Sequence, residues 1–177
     1  PVTTPAMNVN RLCGSGAQAI VSVMQALALG DADFGLAGGA ESMSRAPYIV
    51  PAARFGQKMG DAQVLDMMLG ALTCPFGTGH MGVTAENVAG EHDISRAAQD
   101  AFALESQTRA AAAIAAGRFA SQIVPITVKG RKGDVVFDTD EHPKATSAEA
   151  LAGLRPAFRK DGSVTAGNAS GINDGAG

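Results

Sequence analysis

The chain has 177 residues, 46% of them hydrophobic and 18% charged, with a formal net charge of −3. That length holds one domain with a sizeable core, or one domain and a subdomain, and the composition excludes a disordered chain. The small negative charge leaves no electrostatic footprint for nucleic acid, so no nucleic-acid partner is expected.

No apolar run reads as long enough to cross a bilayer and no signal-peptide pattern is present, so no membrane partner is expected. The two cysteines, Cys13 and Cys74, form neither a CxxC nor a zinc spacing. Two cysteines in a chain this size point to a reducing compartment, and the expected location is cytoplasmic. The chain begins Pro-Val-Thr-Thr and stops at Asp174-Gly175-Ala176-Gly177. It reads as an internal piece of a longer protein.

Residues 6–12 predict a short strand. Residues 16–29 predict the strongest helix, because Ala17, Ile20, Val21, Met24, Leu27 and Ala28 fall at the helical period. Gln18, Ser22 and Gln25 leave only a thin polar stripe, so this helix is expected to be buried. Gly30 is placed to end it. Phe34 to Gly39 predict a buried strand, which would complete a βαβ unit in a parallel sheet.

After Glu41 the pattern changes. Residues 42–60 carry Pro47, Pro51 and Gly56 and predict a long excursion. A short helix is expected at 61–72 and a loop at 73–82. Thr84 is the expected cap of a helix reaching Glu91, and Ser95 of the next, reaching Gly117. Ile123–Lys129 and Asp134–Phe137 alternate as strands around Gly130-Arg131-Lys132-Gly133, a hairpin signal. Ala145–Leu154 predicts a short helix, and Val164–Ala166 an extended run.

Cys13 stands where the first extended run meets the first helix. A thiol there faces unpaired N–H groups and the positive end of the helix dipole, both of which favour thiolate. Taken alone, a buried inert cysteine is the commoner case.

Four segments change that balance. They are Asn10-Arg11-Leu12-Cys13-Gly14-Ser15-Gly16, Gly38-Gly39-Ala40-Glu41-Ser42-Met43-Ser44, His80-Met81-Gly82-Val83-Thr84-Ala85-Glu86-Asn87-Val88-Ala89, and Thr165-Ala166-Gly167-Asn168-Ala169-Ser170-Gly171-Ile172-Asn173-Asp174-Gly175-Ala176. Together, and in this order, they resemble the thiolase family, CoA-dependent enzymes that cleave and form β-ketoacyl thioesters. The similarity runs the whole length of the chain.

The resemblance implies an α/β, thiolase-like fold. Residues 1–43 would be part of the N-terminal βαβ core, 44–164 an inserted α+β loop domain, and 165–177 a return into the core, with the C-terminal domain absent. Cys13 would be the acyl-accepting nucleophile, and its N–H one oxyanion donor. His80 and Met81 would line the acyl and pantetheine channel. Ser170 would hydrogen-bond the pantetheine arm, Ala166 would stand beside it, and Lys144 would lie near the nucleotide end. The stretch 48–64 would join subunits into a homotetramer. Coenzyme A enters as a substrate, with no permanently bound cofactor and no metal.

The chemistry suits a cysteine. Thiolate is both nucleophile and leaving group in thioester exchange, and an acyl-cysteine splits one hard step into two easier ones. The developing oxyanion needs fixed N–H donors. The family also uses a His in Gly-His-Pro, a second Cys in Cys-x-Gly-Gly and an Asn-Glu pair. None of these occurs here, so the piece alone is expected to be inactive. Two alternatives remain open: a β-ketoacyl-synthase-like condensing enzyme, and a non-catalytic CoA-binding relative. Cys74 reads as structural or incidental. Lys129, Arg131 and Lys132 divide evenly between a phosphate-facing role and a solvated hairpin tip. Asp138, Asp140 and Glu141 read as a solvated acidic turn.

Overall fold

The computed structural model describes residues 1–177. In chain order it contains α1 (Ser15–Leu29), β1 (Ala40–Glu41), a 3-10 turn (Met43–Arg45), β2 (Tyr48–Ile49), a second 3-10 turn (Ala53–Phe55), β3 (Leu65–Asp66), α2 (Met67–Ala71), β4 (Thr73–Cys74) and β5 (Gly79–His80). It continues with α3 (Met81–Glu91), α4 (Arg96–Ala115), β6 (Ile126–Val128), β7 (Val135–Phe137), α5 (Ala148–Ala152) and β8 (Gly175–Ala176). The residues gather into two compact units, Pro1–Leu72 with Ile172–Gly177, and Thr73–Gly171.

The first unit is built around α1. Gly30 ends that helix at φ +76°, a left-handed turn that suits glycine, and its N–H reaches back to the last turn. The expected strands at 6–12 and 34–39 do not form as ladders. Each ladder in the chain is instead an antiparallel pair, and no parallel sheet is present. A strand exists only where a neighbour takes its N–H and C=O groups, and those two apolar runs find none here. The pairing begins at their end: Gly39 and Gly177 exchange two backbone bonds at 2.8 and 2.9 Å, followed by β1 against β8. Asp174 locks this junction. Its carboxylate accepts the Ser44 N–H at 2.9 Å and the Ser44 hydroxyl at 2.5 Å. The Ser44 hydroxyl and N–H hold that carboxyl below the usual carboxylate range.

Two further expectations about this unit are corrected. No residue of α1 is buried; Ile20 is 63% exposed and Met24 58%. Its apolar sides find little cover within the chain, chiefly where Val23 meets Gly35. Leu12–Leu29 also meets, by length and composition, the criterion for a membrane-crossing helix, with a mean hydropathy of 1.5 over 18 residues. The sequence reading missed that run because Gln18, Ser22 and Gln25 interrupt it. A core helix passes the same test, and 15 helical residues rise only ~22 Å against a hydrocarbon core of ~30 Å. The excursion after β1 contains β2, which pairs antiparallel with β3. The helix expected over 61–72 shrinks to α2, because Asp66 ends β3 and caps the helix through Met68 N–H at 2.8 Å.

The second unit carries its core at Leu151, Val164 and Thr165, which are 3%, 5% and 0% exposed. Ser95 caps α4 through the Ala98 N–H at 3.2 Å, as its position predicts. Ser147 does the same for α5 through the Ala150 N–H. The β6–β7 hairpin forms where the alternation places it. Residues 73–82, read as a loop, form the β4–β5 hairpin and then the first turn of α3. Thr84 is not the cap of α3. His80 takes that position, and the Thr84 hydroxyl is buried inside the helix without a partner.

Candidate functional site

In the first unit, Cys13 is exposed and stands two residues before α1. The chain makes a tight turn to place it there. Leu12 adopts φ +48°, a left-handed conformation uncommon for a leucine. Local bonds hold it: Asn10 Oδ1 accepts the Leu12 N–H at 3.0 Å, and Ser15 Oγ accepts the Arg11 N–H at 2.8 Å while donating to the Leu12 carbonyl at 2.7 Å. Strain held by several redundant bonds is characteristic of functional turns.

The helix mouth is only partly open. The Gly14 and Ser15 N–H groups are used by the Arg11 and Leu12 carbonyls, each at 3.0 Å. The N-cap, Gly14, supplies no side chain, so the Gly16 and Ala17 N–H groups stay without an acceptor in the chain. Nothing lies within 4 Å of the position a Gly16 Cβ would occupy. The small residues after Cys13 therefore leave bare backbone donors at the helix start, three and four residues beyond it.

The other expected site residues belong to the second unit. His80 ends β5 and caps α3: its Nδ1 accepts the Gly82 N–H at 3.0 Å. That bond requires an unprotonated Nδ1. The imidazole also stacks on Phe158, with centroids 5.0 Å apart and planes 18° from parallel. Met81 follows on the first turn and is 41% exposed. Ala166 and Ser170 are exposed on a turn whose root, Thr165, is fully buried. Lys144 is exposed, and its backbone N–H donates to Gln107 Oε1 on α4 at 3.1 Å.

These residues are joined by groups that the sequence reading did not single out. The stretch from Phe158 to Val164 is fastened along α3. Phe158 covers Gly82, and a Cβ there would collide with its ring. Arg159 donates to Asn87 Oδ1 at 2.5 Å. Glu86, 6% exposed, accepts the Val164 N–H at 2.9 Å and both the N–H and hydroxyl of Ser163. Burial pushes the Glu86 carboxyl up, but those three donors and the Arg159 charge outweigh it and hold it below the usual range. The turn itself is closed by Asn168, whose Oδ1 accepts the Thr165 N–H at 2.7 Å. Asn168 Nδ2 donates to Asp100 Oδ1 at 2.9 Å, and Asp100 pairs with Arg96 at 2.7 Å. Thus His80, Met81, Ala166 and Ser170 stand on one connected frame, whereas Lys144 is tied only to α4.

Cys74 stays outside this frame, in the β4–β5 hairpin. Hydrogen bonding from the Thr78 hydroxyl, with N–H groups of the turn, pushes its thiol down. A small, mainly apolar cavity of about 160 Å³ lies at the end of α4, lined by Ile114, Phe119, Ile123 and Asp138 among others. None of the expected site residues lines it. The missed residues had weak signals. Glu86 sits among small and apolar residues, an odd place for a carboxylate, and Phe158 follows Pro156 with no periodicity around it.

The family model described as thiolase, N-terminal domain, matches residues 1–177. A β-ketothiolase of Cupriavidus necator, BktB, is 64% identical over 177 residues, covering 99% of this chain and 45% of that protein. The chain thus spans about half the length of such a relative. A solved acetyl-CoA acetyltransferase from Syntrophomonas wolfei superposes with a TM-score of 0.94 at 46% identity, over 99% of this chain and 45% of that one. Human mitochondrial 3-ketoacyl-CoA thiolase, solved in complex with CoA, gives 0.91 at 47% identity, over 99% and 44%. The chain belongs to the thiolase family, as a thiolase N-terminal domain with the α/β fold of that family.

Proposed function

We propose that the protein to which this chain belongs transfers acyl groups between CoA thioesters through an acyl-cysteine at Cys13. The observation that carries this reading is an exposed thiol on a strained turn that leads into a helix start with unpaired N–H groups, in a chain that matches a thiolase N-terminal domain over its full length. The Cys13 thiolate attacks the thioester carbonyl carbon. The carbonyl oxygen takes the electron pair, and backbone N–H donors stabilise that charge. Collapse breaks the carbon–sulfur bond, CoA leaves as thiolate, and the acyl group stays on Cys13. In condensation, once a base has taken a proton from the α-carbon of acetyl-CoA, that carbon attacks the acyl carbonyl and the Cys13 thiolate leaves. In thiolysis Cys13 attacks the β-keto carbonyl instead, and the bond between the α- and β-carbons breaks. The α-carbon takes up the proton and leaves as acetyl-CoA, and CoA thiolate displaces Cys13 from the acyl group. β-Ketoacyl-CoA thiolysis and acetyl-CoA condensation are the two directions of this one reaction.

In this reading His80 and Met81 line the acyl and pantetheine channel, Ala166 and Ser170 receive the pantetheine arm, and Lys144 serves the nucleotide end. Residues 1–43 and 165–177 act as core and 44–164 as the loop domain. The solved relative in complex with CoA supports coenzyme A as the ligand. The exposure of Ala166 and Ser170 above a buried root supports a ligand-facing turn. The family resemblance supports a homotetramer and a part in fatty acid metabolism, and the cysteine usage a cytoplasmic location.

The test is turnover. The intact protein should cleave acetoacetyl-CoA in the presence of CoA, and Cys13→Ala should lower kcat at least ~10³-fold. Undiminished turnover by Cys13→Ala would refute the assignment.

A further inference from the structure

Glu86 is a buried carboxylate that the acyl-transfer chemistry does not use. It lies on the inner side of α3, 77 residues from the backbone it holds. Four hydrogen bonds reach its two oxygens. The Ser163 N–H is shared between them at 3.1 and 2.9 Å, the Ser163 hydroxyl donates at 3.2 Å, and the Val164 N–H donates at 2.9 Å. The Ser163 hydroxyl is itself an acceptor for Gln99 Nε2 at 2.9 Å, so its proton is directed at Glu86. All the converging groups are donors, and an amide in place of the carboxylate would turn an NH₂ toward one of them. Gly162 makes room for this clamp, because a Cβ there would occupy the space of the Glu86 carboxylate.

The ligand-facing turn comes directly after this clamp in the chain. Val164 and Thr165 are buried, the Val164 carbonyl accepts the Ala157 N–H at 2.9 Å, and Asn168 closes the turn onto Asp100. Gly167 rests on α5 and the turn after it, where a Cβ would come within 2.5 Å of Leu151 and Leu154. The turn is fixed at its root and bare on the side that carries Ala166 and Ser170.

We propose that Glu86 is a positioning residue for CoA: its ionised carboxylate fixes the Ser163–Val164 backbone and thereby sets where Ala166 and Ser170 meet the pantetheine arm. This rests on the functional reading above, and it assigns to α3 the control of affinity for the carrier thiol rather than of the acyl-transfer step.

The experiment compares Glu86→Gln with wild type in the intact protein. Three quantities are read: KM and kcat with acetyl-CoA, the rate of Cys13 acetylation by methyl thioacetate, which has no pantetheine, and the rate of Cys13 alkylation by iodoacetamide. The expected result is a KM about tenfold higher, with kcat within about twofold and both small-reagent rates unchanged. An unchanged KM overturns the proposal, and so does a parallel fall in all three quantities, which would mean general loosening. If Glu86→Gln is insoluble, Ser163→Ala removes the hydroxyl's bond to Glu86 along with the one it accepts from Gln99, while leaving both backbone N–H bonds to the carboxylate. It is read the same way, with an expected rise of about threefold. A wild-type protein that does not acetylate Cys13 from acetyl-CoA sinks the functional reading first, and the role of Glu86 with it.

Discussion

Replacing Gly82 by alanine sets two physical effects against each other. Gly82 is the second residue of α3, and intrinsic propensity alone predicts that alanine stabilises the helix by up to about 1 kcal/mol. Packing predicts the reverse. The new methyl would fall against three ring atoms of Phe158, closer than real Cβ contacts allow. An aromatic ring cannot yield by a small torsion, so it must shift bodily, at a cost of about 1–3 kcal/mol for overpacking. The shift also disturbs the His80–Phe158 stack, worth about 0.5–1.5 kcal/mol. The packing terms win, and the net effect is a destabilisation of about 1–3 kcal/mol. Thermal unfolding of the intact protein reads this as a fall in Tm of about 2–4 °C per kcal/mol. Adding Phe158→Leu, which leaves room for the methyl, should abolish most of the Gly82→Ala penalty. A higher Tm for Gly82→Ala, or a penalty that persists beside Phe158→Leu, would refute the packing argument.

The depressed Glu86 carboxyl predicts a pH dependence with a definite sign. Because its folded pKa lies below the unfolded value of about 4.3, its stabilisation is complete above that pH and is lost as the pH falls through the folded value. The gap in urea midpoint between wild type and Glu86→Gln should be full at about pH 7 and shrink below about pH 4; a gap constant across that range would contradict the assignment. In the β4–β5 hairpin, Thr78→Val removes the hydroxyl that most lowers the Cys74 thiol, so less thiolate is present at neutral pH. Iodoacetamide should then alkylate Cys74 more slowly while the Cys13 rate holds, and an unchanged Cys74 rate would show the hydroxyl to be idle.

The parts of the fold legible in the sequence are those specified locally. The spacing of Ile20, Val21, Met24 and Leu27 with Gly30 behind them marked α1, and Ser95 marked the start of α4. The alternation on either side of Gly130 and Gly133 marked the β6–β7 hairpin. The errors arose where a distant partner decides. Residues 6–12 and 34–39 have strand composition, but a ladder needs a neighbour. In this chain regular pairing on the second run starts at its last residue, Gly39 against Gly177, and continues as Ala40 against Ala176. Thr84 is a good cap residue in isolation, yet His80 leaves β5 two residues ahead of Gly82 and its Nδ1 takes the donor first. In the candidate site, the motifs gave roles to His80, which is half-buried, and to Met81, Ala166 and Ser170, which are exposed. Glu86 and Asn168 lie inside those motifs without an assigned role, and Phe158 lies outside them, because their partners are long-range or lie beneath the surface.

The central claim is that Cys13 carries the acyl group. The measurement that tests it most directly is rapid acid quenching of the intact protein with acetyl-CoA, followed by peptide mass mapping. The account predicts one acetyl group on the peptide containing Cys13, released when free CoA is added before the quench, and none on the Cys74 peptide. Acetyl transfer that leaves Cys13 unmodified, or label that stays on Cys13 when CoA is supplied, would contradict it.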